Sequence, residues 1–120
     1  MRITRQVIVF DAADLAAESS FWALLFGGTV VAEDDWHSIV VDGSWVMSVQ
    51  LAPDHVPPEW PDGTPQQIHL DLHVDDVAEA HDRVVELGAR MLRPANDLAA
   101  PEGFQVYADP AGHPFCLCWG

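Results

Sequence analysis

QQIHLDLHVDD, residues 66–76, decides the fold. Ile68, Leu70, Leu72 and Val74 alternate with Gln67, His69, Asp71 and His73, so an extended strand sends the aliphatic set to one face and the polar set to the other. One face asks for a core and the other carries groups capable of chemistry. Asp75 and Asp76 then precede a helix-patterned run, where a carboxylate accepts from free backbone N–H groups. Asp76-Val77-Ala78-Glu79 has the D-x-x-E form of a capping box, Val77, Ala80, Val84 and Leu87 share one helical face, and Gly88 stops the helix. Beyond it, Arg90 to Arg93, Phe104 to Ala108 and Pro114 to Trp119 read as strands, separated by the turn-forming stretches PANDLAAPEG and DPAGH. The C-terminal half is therefore βαβββ.

The same order is expected upstream. Ile3 to Phe10 is rich in β-branched and aromatic residues and reads as a strand. From Leu15 to Phe26, Leu15, Trp22, Leu25 and Phe26 recur at helical spacing, with Asp14 as N-cap and Gly27-Gly28 as the stop. Strands are expected over Thr29 to Glu33, Trp36 to Val41 and Ser44 to Leu51, the last two joined by Asp42-Gly43, a dipeptide favoured in tight hairpins. Between the halves, APDHVPPEWPDGTP holds five prolines, which forbid a continuous helix or central strand. Asp14 to Gly27 and Asp75 to Gly88 have the same spacing, as a duplicated module would. The expectation is one domain over residues 1–120, with modules at 1–51 and 66–120 and a proline-rich connector at 52–65. Its fold class is α+β, two βαβββ modules forming curled mixed sheets around a cavity.

Composition limits the partners. With 120 residues, about half hydrophobic (49%), the chain can bury a core without disulfide or metal staples. Five Lys and Arg against nineteen Asp and Glu give a formal net charge of −14, which repels nucleic-acid phosphates and anionic lipid and favours cationic molecules. No apolar run approaches the roughly 20 residues of a membrane span, and no secretion signal is legible at the N-terminus, so a cytoplasmic location is expected. Cys116 and Cys118, two apart on a strand, have Cα atoms roughly 6.5 to 7 Å apart and poor disulfide geometry, so reduced thiols are expected.

The βαβββ-βαβββ order, the DLAAESSFWALLFGG and HLDLHVDD segments and the near-terminal ADPAGHPFCL together resemble the vicinal oxygen chelate superfamily, which holds glyoxalase I, bleomycin-resistance proteins and extradiol dioxygenases. The resemblance covers essentially the whole chain. It implies a metal ligand on the first and last strand of each module. His69 matches one such position. The first-module equivalent falls among Gln6, Val7 and Ile8, Gln50 stands where Glu or His is usual, and Cys116 replaces the final glutamate. One ligand of four survives, and neutral amides are weak substitutes for carboxylates, so no cofactor is expected.

A divalent metal is the alternative. His69 with Asp71, or His69 with Cys116 and Cys118 across adjacent strands, would make a softer zinc-like site given another donor. His69, Asp71 and His73 cannot all converge, because His69 and His73 are separated by roughly 13 Å of strand rise.

The resemblance implies a homodimer with a small-molecule cavity, as in antibiotic sequestration without the usual metal, while the acidity favours a cationic ligand and the tryptophans an aromatic one. The expected ligand-facing residues are Gln50, His69, Asp71, Cys116, Trp36, Trp60 and Tyr107, since tryptophan offers a stacking face and one donor. The alternative is a divergent lyase, isomerase or dioxygenase of the same superfamily, with a non-standard metal site or with His69 as general base. Trp22 is expected in the helix core, and His37, His55, His81 and His113 at the surface or rim.

Overall fold

The computed structural model describes residues 1–120 and consists of two units, Met1–His55 and Val56–Gly120. In the first, β1 (Ile8–Ala12), α1 (Leu15–Phe26), β2 (Thr29–Ala32), β3 (Trp36–Val41) and β4 (Ser44–Leu51) follow in order. Their sheet runs β1-β4-β3-β2, with β1 parallel to β4 and the other pairs antiparallel. The second unit repeats this with β5 (Leu70–His73), α2 (Val77–Leu87), β6 (Arg90–Arg93), β7 (Gly103–Ala108) and β8 (Pro114–Trp119). Its sheet runs β5-β8-β7-β6, again with only the first pair parallel. The duplicated βαβββ order is therefore present in both sequence and topology.

Both helices begin and end by the same chemistry. The Asp14 carboxylate accepts from the Ala17 amide at 3.0 Å, and Asp76 accepts from the Glu79 amide at 3.0 Å. Gly27 at φ 72° and Gly88 at φ 113° close them in the left-handed region that side chains disfavour. In the β3–β4 hairpin, Asp42 and Gly43 both have positive φ, 49° and 76°, the backbone that matches the strands' twist.

The core of the first unit centres on Trp22, which is fully buried. Its ring meets Phe10 at 5.6 Å, Phe21 at 5.1 Å and Phe26 at 5.4 Å between centroids, and its indole N–H donates to Glu18 Oε1 at 3.0 Å. In the second unit, Val77 and Val84 of α2 are buried, and Tyr107 stacks on Phe115 at 5.5 Å. Asp82, Arg83 and Glu86 face solvent, so α2 has the one-sided polarity of a helix lying on a sheet.

Four strands differ in their limits from expectation. The first strand is Ile8–Ala12 rather than Ile3 to Phe10, because its ladder with β4 runs from Ile8↔Met47 to Ala12↔Leu51. β2 ends at Ala32, since the Glu33 amide turns to donate to the Trp36 carbonyl at 2.8 Å. β5 is only Leu70–His73, the four residues that face Phe115–Cys118 of β8; Ile68 precedes it and is 65% exposed, and His69 stands at its threshold. β7 starts one residue early, at Gly103. No helix is long and apolar enough to cross a membrane.

Candidate functional site

The ladders of the second unit sort its side chains by face. Phe115 and Leu117 of β8, paired with Leu70 and Leu72 of β5 and with Tyr107 and Gln105 of β7, point to one side. There the Tyr107 hydroxyl lies 2.7 Å from His81 Nδ1 of α2 and accepts from Gln105 Nε2 at 2.8 Å. Gln105 Oε1 in turn accepts from the Ala95 amide at 3.0 Å, anchoring the loop after β6. Cys116 and Cys118, paired with Asp71 and His73 and with Val106 and Phe104, point to the other side.

That second face carries a groove of about 650 Å³ lined by His69, Asp71, His73, Phe104, Cys116 and Cys118, with Glu102, Gly103 and Trp119 at its edge. A smaller hollow of about 160 Å³ adjoins it, sharing His69, Phe104 and Cys116 and adding Trp60 and Gln66. Phe104 is 51% exposed although its strand neighbour Gln105 is 2% exposed. An open phenyl ring beside a buried amide reverses the usual polarity and leaves an apolar surface for a ligand.

A hydrogen-bonded chain crosses the groove floor. His69 Nε2 lies 3.1 Å from Asp71 Oδ1, and His69 Nδ1 lies 3.3 Å from Gln66 Nε2. An ionised carboxylate only accepts, so Nε2 carries a proton; in a neutral ring Nδ1 then accepts from the Gln66 amide. From the opposite strand the Cys116 thiol also hydrogen-bonds Asp71. Burial, followed by the charge and hydrogen bond of Asp71 and the nearby Cys118, pushes the Cys116 thiol up to about 12. Cys118 is raised as well, by burial and then by Asp71. Both thiols are free.

The expected site residues thus divide. His69, Asp71, Cys116 and Trp60 come together in the second unit, with Trp60 also lying under the Arg93 guanidinium at 5.4 Å. Trp36 and Gln50 face each other across β3 and β4 of the first unit, where the Trp36 indole donates to Ser38 Oγ at 3.1 Å. Tyr107 is corrected: it is fully buried on the helix side of the sheet, not on the groove. His81, expected at the rim, is its partner, and half-buried His37 lies 2.7 Å from the Ser19 hydroxyl by its Nδ1. Gln66, Phe104 and Glu102 were not expected at the site. Phe104 was legible only through strand parity, two residues before Val106 on the face that also presents Cys116.

A sheet of this order, twice repeated, with a groove over one module, defines the vicinal oxygen chelate class. The chain belongs to the glyoxalase-like domain family, whose model matches residues 7–118. No curated protein sequence matches it. Among solved structures it is similar to a fosfomycin resistance protein, FosX, from Mesorhizobium loti, at 17% identity and TM-score 0.70, covering 100% of this chain and 94% of that one. It is also similar to a glyoxalase/bleomycin resistance protein/dioxygenase family enzyme from Burkholderia phytofirmans, at 13% identity and TM-score 0.70, covering 94% and 95%. A third is FosX from Listeria monocytogenes in complex with Mn(II) and sulfate, at 16% identity and TM-score 0.68, covering 100% and 92%. At these identities the likeness is one of fold.

A hard ion such as Mn(II) does not fit the floor residues. Oxygen-rich donor sets suit manganese, whereas here one carboxylate stands with one imidazole and a thiol.

Proposed function

We propose that the protein binds a small aromatic cation in the groove of its second module, and that this binding, of the sequestering kind, is its function. The observation that carries the reading is Phe104, held half-exposed in a groove that also carries the carboxylates of Asp71 and Glu102. A flat ligand stacks on the Phe104 ring, and its positive charge meets the carboxylates, in a protein whose net charge of −14 draws cations toward it. Stacking contributes about 1 kcal/mol beyond the area buried. Burying the phenyl face supplies the larger share, roughly 25 cal/mol per Å² removed from water.

The competing reading, His69 as a general base, receives less support from the geometry. Both ring nitrogens are engaged within the chain, by Asp71 and Gln66, so proton abstraction first requires one of those bonds to open. On the same proposal the protein acts in the cytoplasm as a homodimer, which light scattering on the purified protein checks directly.

The test is a titration with ethidium, a planar aromatic cation, in roughly 0.15 M salt to screen long-range attraction. Saturable binding at one site per chain is expected, weakened about tenfold in Phe104→Ala and lost in Asp71→Asn. Binding that is non-saturable, or unchanged in both variants, sinks the reading.

A further inference from the structure

We infer that His69, Asp71 and Cys116 form a site for a thiolate-preferring divalent ion of the zinc class, with Gln66 holding the imidazole from behind. This goes beyond the organic ligand proposed above and does not depend on it. The ligand atoms of the three residues all lie within 4.8 Å of one another. In a tetrahedral zinc site, bond lengths of about 2.0 Å to nitrogen and oxygen and about 2.3 Å to sulfur put neighbouring donors roughly 3.3 to 3.7 Å apart. His69 Nε2 and Asp71 Oδ1 are already 3.1 Å apart, and Asp71 and Cys116 are ladder partners on adjacent strands. Small side-chain movements therefore suffice. All three donors belong to one module, and the fourth position opens onto the 650 Å³ groove.

The donor chemistry selects the ion. A thiolate with one imidazole and one carboxylate suits zinc or cobalt(II), whereas manganese and magnesium prefer oxygen ligands and bind thiolates weakly.

Gln66 supplies an independent observation. Its Oε1 is buried and has no hydrogen-bond partner, while its Nε2 meets His69 Nδ1. When His69 Nε2 binds a metal, the ring proton moves to Nδ1 and needs an acceptor, as ligating histidines generally do. Rotating the Gln66 amide by half a turn brings the unpartnered Oε1 onto Nδ1–H. The metal-free and metal-bound states are thus two settings of one chain: Asp71 changes from hydrogen-bond acceptor to ligand, Cys116 loses its proton to solvent, and Gln66 turns over. Because an organic cation would also use Asp71, the ion and ethidium should compete.

The experiment titrates chelator-treated full-length protein with zinc, cobalt(II) and manganese(II), following heat and, for cobalt, near-ultraviolet sulfur-to-metal charge transfer. One equivalent of zinc is expected, with manganese at least about a hundredfold weaker. The cobalt band is expected in the wild type and absent in Cys116→Ser. Gln66→Ala should keep the band and weaken zinc about tenfold, the scale of lost outer-shell support. If Cys116→Ser fails to fold by circular dichroism, Asp71→Asn, a change at an exposed position, carries the test through loss of zinc affinity. No stoichiometric zinc, manganese as tight as zinc, or an unaltered cobalt band in Cys116→Ser overturns the site. Unaltered zinc affinity in Asp71→Asn does so equally.

Discussion

Asp71 faces Cys116 directly across the β5–β8 ladder, and its carboxylate meets both the Cys116 thiol and, 3.1 Å away, the imidazole of His69. That one exposed carboxylate adds to the burial that keeps the Cys116 thiol protonated, and it fixes the tautomer of a histidine. The two residues are 45 positions apart in sequence but adjacent in the sheet.

The first consequence concerns thiol reactivity. Alkylation needs the thiolate, and Cys116 is pushed up to about 12. In metal-free protein at pH 8, Cys116 should react with iodoacetamide at least about a hundredfold more slowly than a free thiol, with Cys118, which is less buried, reacting first. Asp71→Asn removes the neighbouring charge and should speed Cys116 about tenfold. Mass spectrometry of timed samples reads both rates. Equal reactivity in wild type and Asp71→Asn would contradict the assignment.

A second consequence is alkaline instability. Burial raises the Tyr107 hydroxyl from 10.0 to about 12, against the opposing hydrogen bond from Gln105. Between those values the unfolded chain has lost the proton and the folded one has kept it, so stability falls as pH rises through the window and is intact below it. The raised Cys116 thiol, ordinarily at 9.0, adds a decline that begins near that pH. Urea unfolding between pH 8 and pH 11.5 should show the slope, and Tyr107→Phe should flatten it while lowering stability at neutral pH.

The two helix caps offer a matched pair. Asp14→Ala and Asp76→Ala each remove one carboxylate bonded at 3.0 Å to a first-turn amide. Each should cost about 1 kcal/mol, measured by denaturant unfolding. Both changes lie outside the groove, so ethidium binding should be unaltered.

Gly28 tests the closeness of α1's exit to the sheet. A Cβ there would collide with the Val40 carbonyl and the Val41 side chain. Because backbone cannot yield as a flexible side chain does, Gly28→Ala should lower stability by about 1 to 3 kcal/mol, whereas a Cβ at Gly103 would instead press on the Trp119 indole at the groove edge.

Local signals carried most of the fold. Asp-capped, glycine-stopped helices and the Asp42-Gly43 hairpin arise from contacts between near neighbours, and both helices begin and end where periodicity places them. Strand limits were less legible because they depend on a distant partner: β1 begins where Met47 faces it, and β5 shrinks to the four residues that β8 matches. The site was half legible. His69, Asp71 and Cys116 stood out by residue type and family position, but their convergence rests on strand register. Tyr107 was misplaced because β7 hides a glutamine and a tyrosine on its helix side and opens a phenylalanine to the groove. Polarity alone assigns that strand to the wrong faces. Gln66 had no signal at all, since its importance comes from the imidazole beside it.

The most direct test of the account is the ethidium titration of metal-free wild type against Phe104→Ala and Asp71→Asn, repeated with a neutral planar aromatic of similar size. Saturable one-site binding of the cation, weakened about tenfold by Phe104→Ala, lost in Asp71→Asn and much poorer for the neutral compound, is the predicted result. Equal binding of the cationic and neutral compounds, or binding indifferent to both substitutions, would contradict the assignment of the second-module groove as the ligand site.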